Sequence, residues 1–76
     1  MNYSEGIFYE KRLTQKIKEL MKDKEIKLQY MAKKLGFKDV HRLGAILYGE
    51  CTWRTWHLPV VADVLGITLD ELFKDV

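Results

Sequence analysis

What most constrains this chain is a set of apolar residues on a helical period, cut into short runs by glycine. Leu13, Ile17, Leu20 and Met21 fall at i, i+4, i+7 and i+8, and Leu28, Met31, Ala32 and Leu35 at i, i+3, i+4 and i+7. That spacing returns side chains to one face of an α-helix. Leu58, Val61, Ala62 and Leu65 repeat it, as do Leu69, Leu72, Phe73 and Val76, and Leu43, Ile46 and Leu47 mark a fifth, shorter face. Gly36, Gly49 and Gly66 follow three of these runs, where a helix closes most cheaply on a left-handed residue without a Cβ. Asp39 is placed to cap the helix that begins at Val40, and Thr68 stands three residues before Glu71, the spacing of a capping box. Pro59 is tolerated only near a helix start, so the fourth helix is expected to begin at about His57 or Leu58, with Trp53 to Trp56 in the loop before it. No segment alternates polar and apolar residues long enough for a strand. The expected fold is therefore all-α, with five short helices.

Seventy-six residues, 47% of them hydrophobic and 32% charged, describe one globular domain with a modest core. The single Cys51 cannot form an intramolecular disulfide, and a reducing cytoplasmic setting is the expectation. No run of apolar residues is long enough to span a membrane or to serve as an export signal. The formal charge of +2 is unevenly placed: residues 1–38 carry ten Lys/Arg against five Asp/Glu, and residues 39–76 three against six. Such a bias suits a protein that presents one face to a polyanion, although a solvated Lys/Glu helix surface has the same composition.

The segment LGFKDVHRLGAILYGE, bracketed by Gly36 and Gly49, carries the most information about function. At 100° per residue Val40, Leu43, Ile46 and Leu47 share one side and are expected to pack inward. His41, Gly44, Ala45 and Tyr48 point the other way, with Arg42 on the flank and Lys38 just ahead of the helix. The outward side is thus polar at its amino end and otherwise small. Gly44 costs about 0.8–1 kcal/mol against alanine in a helix interior. Close approach of the backbone to a phosphate or base would compensate that cost; otherwise the glycine is tolerated in a short helix packed against a neighbour.

At these residues the chain resembles the phage repressor and Cro-like (Xre-type) helix-turn-helix DNA-binding family, over about residues 13–73. QYMAKKLGF is similar to the first DNA-binding helix of the family, with its Met31, Ala32 and Gly36 in place; LGAILYG is similar to the recognition helix, and LPVVADVLGITLDELF to the last two helices. The resemblance implies a compact five-helix, lambda-repressor-like domain over residues 13–76, preceded by an extension of residues 1–12 that lengthens the first helix. It implies a DNA-binding transcriptional regulator, a repressor that inserts the helix Val40–Tyr48 into the major groove and binds a palindromic operator as a homodimer. Lys27, Lys38, Arg42 and Arg54 would hold phosphates, with Gln29 beside them, while His41, Gly44, Ala45 and Tyr48 would face bases.

Three departures qualify the likeness. Lys27 and Leu28 stand where many members carry a capping Ser, Thr or Asn followed by Gln. Met21 and Leu47 stand where many members bury an Arg–Glu pair, and exchanging both partners for apolar residues avoids stranding a charge. The usual Gln and Asn base readers are missing. This favours a second reading, in which the same fold is a protein-interaction module, antitoxin-like or accessory, with weak or no DNA reading.

Other chemistry finds little support. Cys51, His57 and Asp63 have no evident base and oxyanion arrangement, so no enzyme is expected. His41, His57 and Cys51 match no common zinc spacing, and neither a metal nor a cofactor is expected. Trp53 and Trp56 flank Arg54 in the loop after the third helix; covering the small core is an alternative for both and the preferred reading for Trp56. In the leading segment, Ser4 is placed to cap a lengthened first helix, with Ile7 and Tyr9 near the buried face and Phe8 pointing away from it.

Overall fold

The computed structural model describes residues 3–76, with side chains from Glu10 onward. Five helices follow in order: α1 (Tyr3–Asp23), α2 (Leu28–Lys34), α3 (Val40–Leu47), α4 (His57–Leu65) and α5 (Leu69–Phe73). There is no strand among the described residues. The fold is all-α, as the apolar spacing predicts. Since α1 already begins at Tyr3, the backbone of Ser4 lies inside the helix, and its side chain falls outside the described residues. The side chains of Ile7, Phe8 and Tyr9, expected to divide between the buried and open faces, fall outside the described residues.

The helices end as their sequences dictate. Gly36, Gly49 and Gly66 all take positive φ, and behind each the same two backbone bonds close the helix. At α4 these run from Gly66 N–H to Asp63 O (3.0 Å) and from Ile67 N–H to Ala62 O (3.0 Å). The end of α1 uses the identical closure without a glycine: Ile26 N–H donates to Met21 O (2.8 Å) while Glu25 holds φ at 55°. No residue type announces that stop. Asp39 caps α3 by accepting from His41 N–H at 2.9 Å. Thr68 and Glu71 form a reciprocal box at the start of α5. Pro59 is the third residue of α4, inside the first turn, where its missing N–H has no helical partner to lose.

The core collects one stripe from each helix. Leu13, Ile17 and Met21 of α1 meet Met31 and Ala32 of α2, Leu43 and Leu47 of α3, Val61, Ala62 and Leu65 of α4 and Leu72 of α5. Met21 and Leu47, which the resemblance pairs, are both buried in this cluster. Val40, expected to be inward, packs against the core but stays half-buried at the exposed tip of α3.

Two cations of the basic amino-terminal half are spent inside the fold. Lys16 Nζ donates to the carbonyls of Glu71 and Lys74 (2.7 Å to the latter), and Arg12 Nη2 to that of Asp75 (3.1 Å). They satisfy carbonyls at the end of α5, where a helix accumulates partial negative charge. The surplus of positive charge before residue 39 is thus not all directed to one outer face.

Candidate nucleic-acid interface

The turn from α2 to α3 holds the amino end of α3 out from the body of the domain. Asp39 in its extended conformation starts the helix, and its carboxylate stays 3.6 Å from His41 Nδ1. His41 points into open solvent, with its side chain 91% exposed. Arg42, one residue on, lays its guanidinium 5.7 Å from the centroid of the Phe37 ring, a cation–π contact that limits its rotamers without neutralising its charge. Gly44 and Ala45 follow, both half-exposed. A Cβ built on Gly44 meets nothing within 4 Å, so no neighbour in this chain requires a glycine there.

Around this helix the remaining residues singled out in the sequence divide into three places. Gln29 and Lys38 line a shallow groove between α2 and α3 together with Asp39 and Val40. Lys33 lines it too, one helical turn beyond Gln29, and sequence reasoning passed over it although the i, i+4 spacing was visible. Arg42 and Arg54 share a second cleft, lined also by Glu50, Cys51, Thr52 and Trp53. Lys27 is the N-cap of α2 in extended conformation, and its side chain makes no capping bond. Tyr48 stands apart from the rest. It is the C-cap of α3, one residue past the helix, 79% exposed, with Lys18 Nζ of α1 5.1 Å from its ring centroid. The open side of α3 therefore runs from His41 at the tip to a tyrosine leaning on α1.

The loop between α3 and α4 is held from two sides. Trp53 donates its backbone N–H to Glu10 Oε1 (3.1 Å) and its indole Nε1–H to Thr14 Oγ1 (3.0 Å), which ties the loop to α1. Arg54 N–H donates to His57 Nδ1 (3.1 Å), which ties it to α4. His57 itself is 1% exposed, ringed by Phe37, Trp53 and Trp56 with centroids 5.2, 6.1 and 4.1 Å away. Burial pushes its imidazole below the ordinary value, and the charges of Arg42 and Arg54 push it the same way. The expectation that Trp56 covers the core is wrong. Trp53 packs against the core, while Trp56 is 55% exposed and lies over His57. The reason lies forty residues away, because Glu10 and Thr14 offer a carboxylate and a hydroxyl one turn apart and only Trp53 reaches both.

A family model of the Cro/C1-type HTH DNA-binding domain matches residues 16–76. The chain belongs to that family. Neither the curated proteins nor the solved structures gave a significant match. As a Cro/C1-type domain the chain is a DNA-binding regulator whose partner is double-stranded DNA, and its five helices are those of the family. No helix among the described residues is long and apolar enough to cross a membrane. Among the described residues, likewise, no three His, Cys, Asp or Glu side chains gather as a metal site would require.

The free space at Gly44 separates stability from function in this Cro/C1-type domain. Gly44→Ala is expected to raise unfolding free energy by about 0.8–1 kcal/mol, from helix propensity alone. If the same variant loses duplex affinity, the glycine is kept for close approach of DNA. Urea denaturation and a binding titration on one preparation check both halves.

Proposed function

We propose that the protein is a sequence-specific transcriptional regulator, a repressor of the phage or mobile-element kind, that lays α3 in the major groove of its operator. The observation that carries this reading is the exposed amino half of α3. His41 and Arg42 stand at its tip, Gly44 and Ala45 keep the next turn narrow, and Lys33, Lys38 and Arg54 line the grooves beside it. A major groove about 12 Å wide takes a helix whose outer side is this slender. In this reading Arg42 and Arg54 grip phosphates, as do Lys38, Gln29 and Lys27. His41 is the reader of base edges, with the Ala45 methyl placed for thymine and the backbone at Gly44 for close approach. Tyr48 contributes at the groove wall, where its exposed ring stands beside Lys18. Residues 13–76 form the domain, and the described part of the extension before it, residues 3–12, lies in α1.

A homodimer on a palindromic site completes the proposal, since one short reading helix contacts too few bases to specify a site alone. Leu69 and Phe73, both exposed on α5, supply apolar surface for such a contact. The second reading, a protein-interaction module, draws on the same exposed apolar side chains together with Leu28, Tyr30 and Trp56.

Titration of random-sequence duplex at several salt concentrations separates the two. DNA binding gives a log–log slope of about −0.9 for each phosphate neutralised, and selection from a random pool then enriches a two-fold symmetric sequence. Absence of duplex binding at low salt removes the DNA reading and leaves the interaction module.

A further inference from the structure

His57 is the only polar or charged side chain buried among the described residues. It occupies the first position of α4, on one stripe with Val61 and Leu65, where an apolar ring would fill the same space. Because Nδ1 accepts the Arg54 N–H, the proton of the neutral ring sits on Nε2, and Nε2 is buried with no partner. An orphaned buried N–H is a cost an apolar ring would avoid. What the imidazole offers in return is the acceptor at Nδ1, and that acceptor fixes the backbone of Arg54.

We infer that His57 is a positioning residue for DNA binding: its unprotonated Nδ1 holds Arg54 against the DNA face, and protonation of the ring releases it. The inference rests on the DNA-binding reading above. A proton taken from solvent onto Nδ1 converts the acceptor into a donor, which then confronts the N–H of Arg54. The new imidazolium also meets Arg42 from α3 and Arg54 from the loop, the two charges that act on the ring. The α2–α3 turn presents Phe37 and the loop presents the two indoles, none of which carries a countercharge. From α1, Glu10 reaches the loop, but its carboxylate is engaged by the Trp53 N–H. With the Nδ1 tie broken, the Arg54 carbonyl still accepts from the His57 backbone N–H (2.9 Å), but the Arg54 N–H loses its partner and the peptide between Trp53 and Arg54 is free to turn. Acidification then weakens DNA binding, the opposite of what added positive charge does in general.

Two measurements on the intact chain test this. In the free protein, the amide signal of Arg54 is expected to shift in step with the imidazole titration of His57. In the second, duplex affinity at fixed salt is followed from about pH 7.5 to about pH 5 for wild type and for His57→Asn, whose side-chain oxygen accepts a hydrogen bond but does not titrate in that range. Wild type is expected to lose about fivefold at the acid end, the worth of one hydrogen bond, while His57→Asn holds its affinity. Contributions from groups elsewhere in the chain are common to both proteins. Identical pH profiles, or an Arg54 amide indifferent to the His57 titration, overturn the inference. If His57→Asn does not fold, the amide titration in wild type decides alone. If wild type binds no duplex at neutral pH, the DNA-binding reading fails, and the amide titration still reports whether His57 positions Arg54.

Discussion

Leu47→Glu is expected to cost about 3–5 kcal/mol of stability, because it places a lone carboxylate in the core beside α1. Met21→Arg, which strands a guanidinium in the same cluster, is expected to cost a similar amount. A 76-residue domain at typical stability per residue has only about 4–11 kcal/mol in total, so either change alone removes between about a quarter of it and all of it. The double variant is expected to recover much of the loss, since the charges then answer each other across the contact between α1 and α3. Denaturant unfolding of the four proteins gives the coupling energy directly. Losses that simply add would mean the two positions do not face one another. In wild type Met21 and Leu47 achieve with burial what a paired charge achieves elsewhere in the family, and both are nearly sealed from solvent.

The second large effect concerns binding. Arg42→Ala and Arg54→Ala are each expected to weaken duplex affinity by about tenfold and to reduce the salt slope by about 0.9, together by about twice that. The two guanidinium groups share one cleft, so the loss should be much the same on specific and random duplex if both hold phosphates. A loss confined to the selected sequence would make Arg42 a base reader. Arg54→Ala keeps the backbone N–H that donates to His57, so the loop stays anchored and the change reports the guanidinium alone. Arg42→Ala also removes the contact with Phe37, worth about 0.5–1 kcal/mol at an exposed site, and its melting curve separates that contribution.

A third effect is on stability and follows from the same histidine. With its folded-state pKa depressed, His57 is neutral in the native protein at pH values where the unfolded chain binds a proton. Stability is therefore full above the ordinary value of 6.5, declines as pH falls below it, and levels off below the folded-state value. Unfolding curves across that interval for wild type and His57→Asn show the decline in the first and its absence in the second.

Much of the fold was legible because its signals are local. The apolar stripes, the glycine stops, the Asp39 cap and the Thr68–Glu71 box each lie within a few residues of what they determine. The end of α1 was not legible, since Glu25 adopts a left-handed conformation that its identity does not announce. Nor was the exchange of roles between Trp53 and Trp56, which Glu10 and Thr14 decide from a distant helix. Lys16 and Arg12 count as surface charge in a composition and become caps of α5 only once the chain closes. Of the candidate interface, the open side of α3 could be read from angular position, and Tyr48 fell out of line because the helix ends one residue before it. Lys33 and His57 were within reach: the first by its spacing from Gln29, the second by its place on one stripe with Val61 and Leu65.

If the amino half of α3 meets DNA, adding duplex to the labelled protein shifts the backbone amides there. The largest changes are expected at Lys38–Ala45, at Lys27–Gln29 and in the loop around Arg54, with smaller ones at Leu69 and Phe73 where two copies meet on the duplex. Changes confined to α4 and α5, with His41 to Ala45 unperturbed at saturation, would contradict it.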